Sequence, residues 1–188
     1  MQKIRTFVAV PTSSTVQKRA ADLIDRLRDS EENVSWVNPD NLHLTIKFLG
    51  DVPNTEVSQV CQAVGRAASS HGPFSVSYEG MGAFPNRERP KVVWIGVGQG
   101  SEPLVNLHAS VDSSLCNLGF PPDRRSYQPH ITVGRLRRPV SGQQLCELME
   151  QYESFSVGTV EVNELLVMAS FLDKGGPSYD VMARFQLS

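Results

Sequence analysis

Cysteine is scarce in this 188-residue chain: Cys61, Cys116 and Cys146 are an odd number with no Cys-x-x-Cys pair, which argues against a disulfide framework or a thiolate zinc site. A reduced, cytoplasmic protein is the simplest expectation. Long apolar runs are lacking too. MQKIRTFVAV is broken by Arg5 and Thr6 and stopped by Pro11, so it does not read as a signal segment, and no stretch has the length that spans a bilayer. No membrane partner is expected. Nor is there an excess of one charge: 18 Lys+Arg stand against 20 Asp+Glu, for a net charge of -2. Without a global positive field, long duplex nucleic acid is not held by counterion release, and any nucleic-acid contact must be local. A Gly-x-Ser-x-Gly elbow is absent, and GVGQGSEP falls short of a dinucleotide fingerprint and carries no P-loop lysine. With no linker, low-complexity run or charge block to divide it, the chain reads as one domain over 1–188.

What is present is a 40% hydrophobic sequence, enough to bury a substantial core. IRTFVAV at 4–10 reads as a buried strand. Val16, Ala20, Leu23, Ile24 and Leu27 recur at helical spacing over 15–29, with Thr12, Ser13 or Ser14 to cap them. A short strand at 34–37, a Pro39-Asp40-Asn41 turn and a strand LHLTIKFLG follow. A second helix is expected over 55–69, capped by Asn54 or Thr55 and faced by Val57, Val60, Cys61 and Val64. Strands at 73–82 and 91–97 flank the loop FPNRERP, and a helix over 101–117 places Leu104, Leu107, Val111 and Leu115 on one face. After GFPPDRRSYQP come a strand HITVGRL, a helix near 142–151 and strands near 155–168 and 179–187. Strands and helices mix without strict alternation, which predicts an antiparallel α+β fold.

One coincidence carries chemistry. His43-Leu44-Thr45-Ile46 and His130-Ile131-Thr132-Val133 repeat one pattern 87 positions apart. In a strand, His and Thr two residues apart share a face while the apolar residues point to the core. Two such strands related by a pseudo-two-fold line one cleft with two imidazoles and two hydroxyls. Displacement at phosphorus needs a base for the attacking oxygen and an acid for the leaving one, and a histidine pair supplies both at neutral pH without a metal. Thr45 and Thr132 can donate to the non-bridging oxygens. A lone strand histidine is usually structural, but here two of the four histidines fall in matching motifs; His71 and His108 lack that context and read as surface or packing residues. A zinc site is the weaker alternative, because neither strand offers Asp, Glu or Cys on the His face at a ligand spacing.

On these motifs, together with RTFVAV, WVNPDNLHLTIKFLGDV, GMGAFPNRERPKVVWIGV and RSYQPHITVGRL, the whole chain resembles the 2H phosphoesterases, specifically the bacterial and archaeal RNA 2',3'-cyclic phosphodiesterases once described as 2'-5' RNA ligases. The resemblance implies a bilobal fold, two antiparallel sheets with flanking helices around a central cleft, and hydrolysis of an RNA 2',3'-cyclic phosphate to a 2'-phosphomonoester without cofactor or metal. It implies His43 as proton donor to the leaving 3' oxygen and His130 as proton acceptor from water, roles that the two equivalent motifs leave open. RNA ends or small cyclic nucleotides are the implied substrates. 2'-5' ligation and non-catalytic binding of RNA ends or nucleotides are the alternatives, and a monomer is the simplest assembly. Arg125 stands where the family places an arginine five residues before the second histidine, and Tyr127 replaces the commoner Phe; both are expected at the substrate. Simple alternation puts Lys47 on the His43 face, at the cleft rim, and Phe48 in the core. The same rule turns Arg135 away from His130, to a structural or rim role. Trp36 and Trp94 are expected in the core, and Arg87, Arg89 and Lys91 in a solvated loop able to meet an RNA backbone.

Overall fold

The computed structural model describes residues 2–28, 33–138, 143–173 and 176–188; Asp29 and Gly142, at the outer ends of two expected helices, lie outside them. Strand β1 (Lys3–Pro11) buries Thr6 through Val10. Helix α1 (Ser14–Leu27) follows, its first turn capped by Ser13, whose hydroxyl accepts from the Val16 N–H at 3.2 Å. The apolar stripe read from the sequence, Val16, Ala20, Leu23, Ile24 and Leu27, is its buried face. Next come β2 (Val34–Trp36), a 3-10 turn (Pro39–Asn41), β3 (His43–Pro53) and a second 3-10 turn (Asn54–Glu56). That second turn takes the two residues expected to cap α2 (Val57–Ala68), which starts without a side-chain cap. Then follow β4 (Phe74–Phe84), β5 (Val92–Val97), α3 (Ser101–Cys116), β6 (His130–Leu136) and α4 (Gln143–Gln151). The strand expected near 155–168 is two strands, β7 (Ser156–Val162) and β8 (Glu164–Asp173), interrupted at Asn163; β9 (Gly176–Gln186) closes the fold.

The class is α+β, and its two antiparallel sheets are halves of a continuous one. The strand order is β7-β4-β5-β6-β3-β1-β8-β9, with β2 pairing beside β6. One half is β3-β1-β8-β9, the other β6-β5-β4-β7, and the succession β1-α1-β3-α2 in the chain is answered by β5-α3-β6-α4. The halves meet where Leu44 pairs with Ile131. The pseudo-two-fold therefore passes between the two His-x-Thr motifs.

Helices cover one face of this sheet. α1 packs on β7, α2 on β8 and β9, α3 on β3 and on α2, and α4 on β4. The core lies between, where Val8, Val10, Leu44, Ile46, Ile95, Ile131 and Val133 meet Leu23, Val64 and Leu107. On the opposite, open face of the β1 half a smaller cluster forms from Phe7, Ala9, Leu166 and Met168 with Tyr179 against it.

Both motif strands carry an extra residue directly after the threonine. β3 pairs Thr45 with Ala9 but Lys47 with Val8, so Ile46 is unmatched. β6 pairs Thr132 with Trp94 but Gly134 with Val93, so Val133 is unmatched. A bulge of this kind shifts the alternation by one residue, and the side chains beyond it change face, in β3 as far as a second bulge at Leu49.

Candidate active site

His43 and Thr45 stand on the open face of β3, and Thr132 on that of β6, in a cavity of about 740 Å³ whose wall also includes Arg5, Phe7, Trp36, Asn41, Phe48, Arg135 and Tyr179. Because Leu44 lies opposite Ile131 in an antiparallel pair, His43 falls beside Thr132 and Thr45 beside His130. Each imidazole is thus diagonal to its twin and adjacent to the other strand's hydroxyl. His130 is outside that cavity's wall, but its charge reaches His43.

The two rings are held alike. Nδ1 of His43 donates to the Asn41 carbonyl at 2.8 Å, and Nδ1 of His130 donates to the Gln128 carbonyl at 2.7 Å, each two residues back. A carbonyl only accepts, so Nδ1 carries a proton in both rings and Nε2 has no hydrogen bond among the described residues. Ring packing reinforces the pose. Phe7 lies 4.8 Å from the His43 ring and Tyr179 meets it edge-on at 5.1 Å, while Phe84 meets His130 edge-on at 5.0 Å and Trp94 lies at 6.0 Å. Burial pushes both imidazoles below their ordinary pKa; the carbonyl bonds oppose this, and the Arg135 guanidinium lowers both further.

The bulges reverse three expectations. Lys47 is not at the cleft rim: it faces the helices at 3% exposure, where its ammonium bonds Asp112 and lies 3.2 Å from Asp123. Phe48 is not in the core: it is 58% exposed and lines the cavity, 5.7 Å from Phe7. Arg135 is not turned away but lines the same cavity. Gly134 offered a signal for the second bulge, since an interior strand glycine often marks one; nothing comparable marks the first.

Other expected site residues stand elsewhere. Tyr127 is behind the sheet, with its hydroxyl donating to the Thr45 carbonyl at 2.8 Å and its ring stacked on His108 at 4.2 Å. Arg125 is exposed in the segment before His130 and does not line the cavity. Trp36 is partly buried and forms part of the cavity wall, and Trp94 lies over Gly82, leaving no room there for a β-carbon. Arg87 is anchored to the Met81 carbonyl at 2.9 Å and to Glu153 at 3.1 Å; neither it, Arg89 nor Lys91 lines the cavity. His71 bonds Ser110 at 2.7 Å and His108 bonds Asp123 at 2.9 Å, both as packing residues. Arg5 and Tyr179, which the sequence did not single out, are brought to the cavity by β1 and β9.

Metal-ligating side chains gather among the described residues at His108, Asp112 and Asp123, within 4.8 Å of one another. This group is behind the sheet and its two carboxylates already pair with the Lys47 ammonium, so it does not suit a divalent ion.

The LigT-like phosphoesterase model matches the chain twice, over residues 10–94 and 95–179, one match to each His-x-Thr motif. An RNA 2',3'-cyclic phosphodiesterase of Methanothermobacter thermautotrophicus is 35% identical over 98% of this chain and 100% of its own length. One of Aquifex aeolicus is 32% identical over 100% and 99%. Among solved structures, TT0787 of Thermus thermophilus superposes with a TM-score of 0.77 at 25% identity, covering 98% of each chain. E. coli LigT complexed with 3'-AMP shares the fold, with a TM-score of 0.78 at 23% identity, covering 100% of this chain and 99% of that one.

Proposed function

The chain belongs to the LigT-like phosphoesterase family, and on that premise we propose that it hydrolyses the 2',3'-cyclic phosphate at an RNA 3' end to a 2'-phosphomonoester, with His43 as acid and His130 as base. The observation that carries this reading is the matched pair of imidazoles on one sheet face, each fixed through Nδ1 with Nε2 free. The names of the two relatives support the substrate.

In the proposed step a water oxygen attacks phosphorus while His130 Nε2 takes its proton. The bond from phosphorus to O3' breaks, and His43, which takes up a second proton at Nε2 from solvent when the phosphodiester anion is bound, gives that proton to the departing oxygen. Thr45 and Thr132, each beside the other strand's histidine, donate to the non-bridging oxygens. Proton exchange with solvent then restores both rings. No metal takes part. Arg5 and Arg135 supply positive charge for phosphates, and Phe48, Trp36 and Tyr179 give the cavity aromatic faces for a nucleobase. All these groups come from a single chain, which fits a monomer, and the three free thiols fit the cytoplasm.

Since both pKa values are depressed, the free rings are neutral at pH 7, and a phosphodiester anion bound between them raises their proton affinity against the effect of Arg135. The test is a short RNA ending in a 2',3'-cyclic phosphate, incubated with the protein and EDTA. The expected product is a 2'-phosphate sensitive to phosphatase. No turnover, or turnover appearing only when a divalent metal is supplied, overturns the reading.

A further inference from the structure

The two strands that carry the histidines hold each other weakly. β3 is paired with β1 along its whole length and β6 with β5 from His130 to Arg135, whereas β3 and β6 meet where Leu44 faces Ile131. Backbone pairing over so short a seam leaves the spacing of the imidazoles to whatever spans it from behind.

What spans it is polar, with Lys47 and His108 buried at its centre. Residues 120–129, which lead into His130, form neither helix nor strand, so side-chain bonds define their path. Tyr127 donates to the Thr45 carbonyl at 2.8 Å, between the catalytic motif's own residues. Lys47 Nζ donates to the Pro121 carbonyl at 3.1 Å and pairs with Asp123 at 3.2 Å. α3 secures the same set: Asp112 bonds Lys47 and accepts the Asp123 backbone N–H at 3.3 Å, and His108 bonds Asp123 while stacking on Tyr127. Lys47 reaches this place because the β3 bulge turns it inward. At the equivalent place in β6 stands Gly134, against Val34 and Trp36, so the brace is one-sided.

We propose that Lys47 and Tyr127 are positioning residues for the reaction, holding the segment before His130 to the strand of His43 and thereby setting the separation of the two imidazoles. This rests on the two-histidine reading of the cleft. Misplacement of reacting groups by about 1 Å costs about a hundredfold in rate while leaving substrate contacts in place.

The experiment compares the wild type with Tyr127→Phe, Lys47→Met and Lys47→Arg on 2',3'-cyclic AMP, well below their melting temperatures. Tyr127→Phe is expected to lower kcat about tenfold, and Lys47→Met about a hundredfold, with KM held within about twofold. Lys47→Arg should recover part of the loss. If Lys47→Met does not fold, the two conservative variants carry the test. The Cε1–H resonances of His43 and His130, followed by NMR without substrate, should move in Tyr127→Phe. Unchanged kcat with unmoved histidine resonances overturns the proposal, as does a lower melting temperature with full kcat per folded molecule. A wild type without turnover removes the cyclic phosphodiesterase reading alone; the histidine resonances then still decide whether the brace sets the rings.

Discussion

Strands β3 and β6 are alike for four residues and then diverge. Both place His and Thr on the open face, both fix the imidazole through a carbonyl two residues back, and both bulge directly after Thr. Beyond the bulge, β3 sends Lys47 to the helix face and Phe48 to the cavity, whereas β6 has Gly134 and Arg135 at those two places. The neighbouring strands diverge as well: small Ala9 lies opposite Thr45, but Trp94 opposite Thr132. Symmetry at phosphorus suits a reaction that exchanges one oxygen for another across the phosphate. Asymmetry around it suits a substrate with a base on one side and charge on the other. At the equivalent strand position one half thus offers the aromatic face of Phe48 and the other the guanidinium of Arg135.

The largest expected effect breaks the symmetric part. His43→Ala and His130→Ala should each lower kcat by about 10²- to 10⁴-fold, and the double variant should fall little further, as expected of groups that act together. Steady-state rates on 2',3'-cyclic AMP check this, and near-normal turnover by either single variant removes the equivalence of the two motifs.

Phe48→Ala probes the asymmetric part. Loss of a stacking face is expected to raise KM for a cyclic nucleotide about tenfold, while affinity for inorganic phosphate, measured by calorimetry, stays the same. Equal weakening of both ligands would assign Phe48 to the phosphate side.

Arg135→Met sharpens the comparison through pH. His43 and His130 both have depressed pKa values in the free protein, so, with one proposed as acid and the other as base, kcat/KM should peak on the acid side of about pH 6.5. Removing the guanidinium takes away one cause of the depression for both rings, so the peak moves toward higher pH. A peak that stays in place shows that burial and the carbonyl bonds set it without Arg135.

The smallest effect is on stability. The folded rings resist protonation, so the unfolded chain binds more protons once pH drops below about 6.5, and stability is lost from there down through the folded-state pKa values. His43→Phe should remove its own share of that loss. Melting temperatures taken across the acid range would show a flatter dependence than in the wild type.

Much of this was legible in the residues. Helical spacing identified the buried faces of α1 and α3, and period-two alternation placed His43, Thr45, His130 and Thr132 correctly up to the bulges. Lys47, Phe48 and Arg135 were misplaced because a bulge belongs to the pairing of two strands; Gly134 is a hint of the one in β6, and no residue marks the one in β3. Arg5 and Tyr179 escaped for a related reason. They lie on β1 and β9, far in sequence from either motif, and only the strand order brings Tyr179 beside His43 and Arg5 into the same cavity. Tyr127 was legible as a neighbour of the second motif, but which side of the sheet its ring takes depends on a hydroxyl finding the Thr45 carbonyl behind β3.

The sequence by itself determined the paired motifs: two His-x-Thr strands, apolar on the other face, in a chain with no thiolate ligand set and no strong net charge. Local physics suffices for that, since side-chain alternation and residue type are properties of a few consecutive positions. Tertiary structure alone decided which groups surround the pair, because the extra residue in each strand and the order of strands in the sheet fix which face every later side chain takes and which distant strand lies beside it.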